Sequence, residues 1–410
     1  MVATPLIETS AREKRENLFV LGATAFLRGV HVSVYGVIWQ PFVLGLGASM
    51  PTLGLLNSLG GMNGIVTTIV QPFGGWLADR LGRKPFVAAA SLAFLGGYAL
   101  FWLSGLLNIW TLLLFGVVVI GATALANPAR NSMTAESVRE RHGSAFSALL
   151  VAGMLPGIIV PTLGGAFADR FGYTSLFPIF IAFEALALFL VVRYLRETRA
   201  LDGEGMDWHA ARRAMWRSIL PPKGRVGFFC AVAGDSFFWS TGWGLLYGMV
   251  TETYHFSAEQ LGIMASVMSL SWTLMQMPIG RYIDRRPVKR VMIVSELLGA
   301  PLMLLWITQS RFEIFAASQV LFALTAATWV PVINTYLTRS VSAAERAEAF
   351  GRLSMFRGLV AFPAPTLGGL LYAWGGMRAP LFVNLIGNFI VTAILIFFVR
   401  EPKRAEEVVP

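Results

Sequence analysis

The chain has 410 residues, 55% hydrophobic and 14% charged, with a mean hydropathy of +0.63 and a formal net charge of +10. Soluble domains carry about 25% charged residues, so this composition excludes a soluble globular protein. A single cysteine excludes an internal disulfide framework.

Apolar stretches long enough to cross about 30 Å of hydrocarbon as helices recur along the whole chain. In order they fall at about 17–45, 51–77, 85–106, 109–128, 144–168, 174–196, 226–250, 258–280, 289–309, 312–332, 346–374 and 378–399. No alternating strand pattern suggests a closed barrel, so satisfying the backbone in lipid requires an all-α protein of twelve transmembrane helices. The first stretch follows the charged run AREKREN and has no convincing small-residue cleavage site after it, so it reads as a crossing rather than a signal peptide.

Of the 33 Lys and Arg, 28 fall in segments that share one side when both termini are cytoplasmic. The opposite loops hold only Arg170, Arg311 and Arg378, and Arg28 and Arg357 lie inside spans. The positive-inside rule therefore predicts a multi-pass protein of an inner, plasma membrane with both ends in the cytoplasm. The net charge follows from this bias and from contact with anionic membrane lipid, so no nucleic-acid partner is expected.

The chain repeats itself. AFSALLVAGMLPGIIVPTLGG (145–165) aligns without a gap on AFGRLSMFRGLVAFPAPTLGG (349–369) at an offset of 204, and Arg196-Glu197 matches Arg400-Glu401 at the same offset. Two pseudo-symmetric six-helix halves follow, residues 1–196 and 226–410. A polar segment, 197–225, joins them, and Trp208, Ala211, Met215 and Ile219 could make one face of a short amphipathic helix in it.

GGWLADRLGRKP (74–85) follows the second span, and a near copy, GGAFADRFGYTS (164–175), follows the fifth. On the predicted topology the first is cytoplasmic and keeps its cations, whereas the second lies outside and continues into Tyr, Thr and Ser. The stretch Gly75-Trp-Leu-Ala-Asp79-Arg80-Leu-Gly82-Arg83-Lys84 resembles the G-x-L-A-D-R-x-G-R-K loop signature of the major facilitator superfamily. A partial echo follows span eight at Gly280, Asp284 and Arg285.

With twelve spans and two halves, the resemblance covers essentially the whole chain. It implies the major facilitator fold, alternating access, and a latch role for Gly75, Asp79, Arg80, Gly82, Arg83, Lys84, Asp284 and Arg285. Two departures stand out. Many proton-driven exporters carry an arginine in helix four, yet 109–128 holds no ionisable residue. In the helix-five exporter pattern Pro161, Gly164 and Gly165 fit, while Pro156 and Val160 replace the leading glycines.

Ionisable residues within spans are costly and mark functional sites. Here they are Arg28 and His31 in span one, Glu184 in span six, Asp235 in span seven, Glu296 in span nine and Arg357 in span eleven. Arg28 and Asp235 occupy equivalent positions at an offset of 207. In the family fold helices one, four, seven and ten line the cavity, which implies that this pair meets there. Asp235 is then the expected protonation site, Arg28 its counter-ion and His31 a second titrating group, with Glu184, Glu296 and Arg357 as secondary candidates. The same helices place Tyr35, Trp39, Gln40, Asn131, Phe238, Trp239, Trp243, Tyr247, Trp329 and Asn334 as cavity candidates, suited to aromatic or cationic compounds.

The sequence contains no P-loop and no metal-ligand spacing, so neither ATP-driven transport by this chain, nor an enzyme, nor a bound cofactor is expected. The reading is a monomeric secondary transporter that exports small amphipathic or aromatic molecules with a proton as coupling ion. An uptake carrier for a sugar, organic acid or other metabolite, and a non-transporting membrane sensor or scaffold, are the alternatives.

Overall fold

The computed structural model describes residues 11–61, 63–137, 142–198, 219–342 and 345–402. Among them every element is helical. The first half contains α1 (Ala11–Gly45), α2 (Met50–Gly60), α3 (Ile65–Leu81), α4 (Lys84–Leu107), α5 (Leu112–Ala122), α6 (Ala126–Glu136), α7 (His142–Met154), α8 (Val160–Phe171) and α9 (Leu176–Tyr194). The second contains α10 (Val226–Thr241), α11 (Leu246–Tyr254), α12 (Ala258–Arg285), α13 (Val288–Thr308), α14 (Phe312–Ser340), α15 (Arg346–Ala361), α16 (Ala364–Gly375) and α17 (Arg378–Phe398). The expected amphipathic helix of the linker lies outside the described residues.

These elements make twelve crossings, because five of them are interrupted. Crossing two breaks around Gly61 and Gly64, four at a 3-10 turn over Thr123–Leu125, and five at a 3-10 turn over Leu155–Ile158 that contains Pro156. Seven breaks at Gly242, and eleven between α15 and α16 at Phe362 and Pro363. Proline and glycine weaken the i to i−4 ladder at these points, and neighbouring helices shelter the freed backbone. By length and composition nine helices among the described residues qualify as crossings on their own. The other three are seven and eleven, which are cut short, and eight, made more polar by Ser266, Ser269, Ser271, Thr273 and Gln276.

Several helices outlast the apolar stretch that signals them. Crossing four runs to Glu136 and crossing ten to Ser340, where apolarity suggests 128 and 332. Helical geometry continues past the hydrocarbon until a cap stops it, so Arg130 lies within crossing four rather than in a loop.

The repeated Arg-Glu pair is a repeated cap. Glu197 Oε2 accepts the backbone N–H groups of Arg83 and Lys84 at 2.9 Å each, at the start of α4. Glu401 does the same for Val288 (2.7 Å) and Lys289 (2.9 Å) at the start of α13. Lys84 Nζ then donates to the Val192 carbonyl and Lys289 Nζ to that of Ile396, at 2.9 and 2.8 Å. A carboxylate at a helix N-terminus satisfies orphan donors and opposes the positive end of the dipole. Each half thereby ties its last crossing to its third.

The halves close against each other on the face opposite the termini, and the repeated phrase PTLGG forms the seam twice. A Cβ on Gly165 would overlap the carbonyl oxygen of Ala258, and Gly262 lies equally tight on Pro161, where α8 meets α12. Gly369 lies against Met50, and Gly54 against Pro365, where α16 meets α2. The threonines add Thr162 to Ser266 and Thr366 to Ser58 hydrogen bonds, both 2.8 Å. Small residues let backbones touch, the usual means of helix association in lipid.

A carboxylate clamp is added where α8 meets α12. Asp169, from the outer near-copy of the loop signature, accepts the N–H groups of Ala258 (2.9 Å) and Glu259 (2.8 Å), where Ser257 and Gln260 complete a capping box. The phrase that diverges after its Asp-Arg thus retains the aspartate for a contact between the halves.

Gly165→Leu should wedge the seam open and raise the labelling rate of a cysteine placed at Thr162 in a Cys230→Ala background. Asp169→Asn should shift the same rate in the same direction by the loss of a cap, about 1 kcal/mol. Glu197→Gln and Glu401→Gln should each lower the thermal midpoint in detergent, by a similar loss of about 1 kcal/mol, without changing that labelling rate.

Candidate functional site

Arg28, on the middle of α1, is 7% exposed and makes a bifurcated pair with Glu184 of α9: Nη2 to Oε1 at 2.9 Å and Nε to the two oxygens at 3.1 and 3.2 Å. Its Nη2 also donates to Ser91 Oγ of α4 at 2.6 Å. His31, one turn further along α1, is fully buried; its Nε2 lies 2.8 Å from Glu184 Oε2 and its Nδ1 2.9 Å from the Tyr98 hydroxyl. One carboxylate thus holds a guanidinium and an imidazole, with Phe94, Tyr98 and Phe180 packed around the imidazole ring. Fork-to-carboxylate geometry is the strong form of a buried pair.

Asp235 on α10 has different partners. Trp329 of α14 donates Nε1–H to its Oδ2 at 2.7 Å, Glu296 of α13 lies beside it, and the Arg357 guanidinium of α15 is a counter-charge to it. Asn388 of α17, with its amide oriented to satisfy its neighbours, donates to Glu296 Oε1 at 3.2 Å.

The expected Arg28–Asp235 pair is therefore not formed. The two residues do occupy equivalent positions, but each pairs within its own half, because a partner on the same rigid bundle neutralises a buried charge without depending on how the halves sit. Glu184 and Glu296, secondary candidates from the sequence, are central to the two clusters and 0 and 2% exposed. The equivalence extends further: Ser91 and Glu296 are related by an offset of 205, Glu184 and Asn388 by 204. Each half carries a polar trio at one register, Arg28–Ser91–Glu184 and Asp235–Glu296–Asn388.

Between the halves lies a cavity of about 320 Å³, lined by Asn63, Thr67, Thr68 and Gln71 of crossing two, Ser354 and Arg357 of crossing eleven, and neighbouring residues. It sits on the terminal side of the seam, and Arg357 joins it to the Asp235 cluster. A second cavity of about 240 Å³ lies among crossings one, three, four and five, with Arg28, Thr123, Asn127 and Arg130 on its walls.

None of the ten residues expected to line the cavity is on the walls of either one. Tyr35, Trp39, Trp239, Trp243 and Tyr247 instead pack into the large apolar core that includes the seam. Trp39 Nε1 donates to Asn57 Oδ1 at 2.7 Å. Gln40 spans the halves, donating to the Gly244 carbonyl at 3.0 Å and accepting from Gly248 N–H at 2.7 Å, where crossing seven is broken. Phe238 packs on Gly387, Trp329 holds Asp235, and Asn131 and Asn334 are exposed.

In the loop signature, Gly82 has φ +85, a conformation that favours glycine, and the closest approach to crossing four is made by Gly74 on Leu125 rather than by Gly75. Arg83 is 5% exposed and forms an ion pair with Glu136. Arg80 lies in the last turn of α3. The Asp79 side chain lies outside the described residues. Asp284 and Arg285 are exposed at the end of α12. No group of metal-ligating side chains occurs among the described residues.

Reading the sequence missed Arg130, because the fourth span was ended two residues before it. It also missed Ser91, Asn388, Glu197 and Glu401 as partners, although the repeat offset carries their positions once it is applied to every charged residue.

The Major Facilitator Superfamily family model matches residues 21–240 and 227–410. Multidrug resistance protein MdtG of Serratia proteamaculans is 26% identical, with 94% of this chain and 92% of that one covered. Multi-drug resistance efflux pump PmrA of Streptococcus pneumoniae is 25% identical over 85% of this chain and 88% of its own. Among solved structures, the human organic anion transporter MFSD10 superposes with a TM-score of 0.65 at 17% identity, over 93% of this chain and 99% of that one. A POT family transporter in complex with 5-aminolevulinic acid superposes with a TM-score of 0.74 at 15% identity, over 93 and 95%. A family match across both six-helix halves, on a chain that folds as two bundles closed by a repeated seam, establishes that this protein belongs to the Major Facilitator Superfamily.

Proposed function

We propose that the protein is a proton-coupled exporter of amphipathic aromatic compounds, working as a monomer by alternating access. The observation that carries the reading is the Asp235–Glu296 carboxyl pair beside Arg357, which also lines the cavity between the halves. With both carboxyls ionised and Arg357 charged, this cluster holds one negative charge in excess; one proton removes it. A cationic or strongly polar compound that enters beside Arg357 perturbs the counter-charge of Asp235, so binding of the compound and of the proton are linked through one guanidinium. The names of the multidrug relatives support the efflux direction and the broad substrate class.

With the termini in the cytoplasm of a bacterial inner membrane, as the distribution of Lys and Arg supports, the PTLGG seam closes the outer face and the cavity belongs to an inward-open state. Residues 1–196 and 226–410 then rock as two bodies about the cavity, joined by 197–225, with Asp169 as an outer latch and the Arg83 loop at the inner face. The loops contact anionic lipid. An uptake carrier is the second reading, favoured by the arginines Arg28, Arg130 and Arg357 on the cavity walls.

The test is proton exchange in lightly buffered detergent solution on adding the lipophilic cation tetraphenylphosphonium. Wild-type protein should release protons, and Asp235→Asn and Glu296→Gln should each abolish release while leaving the protein folded. Binding without proton exchange in all three proteins would overturn proton coupling through this pair.

A further inference from the structure

The cavity among crossings one, three, four and five is unusual in its charge. Arg130, from α6, has buried Nε and Nη2 atoms with no hydrogen-bond partner among the described residues. Arg28 faces the same space. Its Nε and Nη2 are bonded to Glu184 and Ser91, and Nη1 is not among the bonded atoms. His31 and Glu184 are the remaining ionisable groups against it among the described residues, with Lys84 and Glu136 at the ends of the same helices. With His31 neutral, two guanidinium groups face one carboxylate, so the cluster holds one positive charge in excess.

An arginine kept inside a membrane protein without a carboxylate of its own is costly, and its unfilled donors are available to a ligand. The planar guanidinium fork matches a carboxylate in shape and can donate two parallel hydrogen bonds to it. Asn127, one turn before Arg130 on the same face of crossing four, adds an amide, Thr123 a hydroxyl, and Phe94 an aromatic surface. At about 240 Å³ the space suits an anionic group and the ring that bears it rather than a whole drug-sized molecule.

We propose that this cavity is an anion subsite in which Arg130 receives the carboxylate of an aromatic organic acid, with Arg28 held by Glu184 as a second, fixed donor. This rests on the transport reading and deepens it, adding to the carboxyl cluster of the second half a complementary recognition site in the first. The excess positive charge in one half and the excess negative charge in the other are filled by different partners, a substrate anion and a proton.

The probes are 2-naphthoate and its uncharged counterpart 2-naphthamide, titrated calorimetrically into the full chain in detergent. Wild type should bind the acid at least about tenfold more tightly than the amide, the scale of one charge-assisted hydrogen bond. Arg130→Gln should erase the preference, and Arg130→Lys should keep part of it, since a point charge remains without the fork. Asn127→Asp, which leaves both arginines in place but supplies their missing anion, should also erase it. Equal affinity for the two probes in wild type, no binding of either, or a preference that survives Arg130→Gln would each overturn the subsite. If Arg130→Gln does not fold, Asn127→Asp decides the question by the same criterion. Tetraphenylphosphonium-driven proton release by the wild-type protein reports separately on the transport reading, so one can fail while the other stands.

Discussion

An ionised side chain inside a membrane has to be neutralised by something fixed nearby, and most of this protein's polar architecture follows from that requirement. Each half places its partners internally and at the same register. In the first half Glu184 holds Arg28 and His31. In the second Asp235 and Glu296 lean on each other, on Trp329 and on Arg357. Because neither cluster borrows a charge from across the interface, the halves can move relative to each other without breaking an ion pair. A bridge between Arg28 and Asp235 would have had to break in every cycle.

The interface itself is built of the opposite material. Glycines, prolines and small hydroxyl residues of the two PTLGG phrases bring backbones into contact at the face away from the termini. Such contacts are individually weak and carry no buried charge, which suits a surface that has to separate. Asp169 adds a carboxylate clamp to one of the two seams, and the equivalent position in the second half is Ala373. The pseudo-symmetry is therefore broken where one half grips the other, and the duplicated caps at Glu197 and Glu401 keep each half rigid while that grip is made or released.

The two clusters also differ in what they lack. The same register holds a cation with its anion in one half and a pair of acids in the other, so the two halves have diverged in charge at equivalent positions. Arg357 and Arg130 each connect a cluster to a cavity, one between the halves and one within the first half. Chemistry that could couple a proton to a solute is thus divided between two bundles that meet at the seam.

Composition and the spacing of apolar stretches determined the twelve crossings, and the repeat at an offset of 204 determined the two halves, because the cost of bare backbone in lipid leaves few alternatives to a long apolar helix. The intramembrane charges were legible too, since any Arg, Asp or Glu within such a stretch stands out. Their partners were not. Glu184 and Glu296 ranked only as secondary candidates, Arg130 fell beyond a span judged by hydropathy alone, and most of the aromatic residues assigned to a cavity pack into the core around the closed seam. Hydropathy measures how far a segment prefers lipid, but where a helix ends depends on its cap, and which face it turns inward depends on the helices around it. Pairing of charges across tens or hundreds of residues is decided by that packing, and only the tertiary structure holds it.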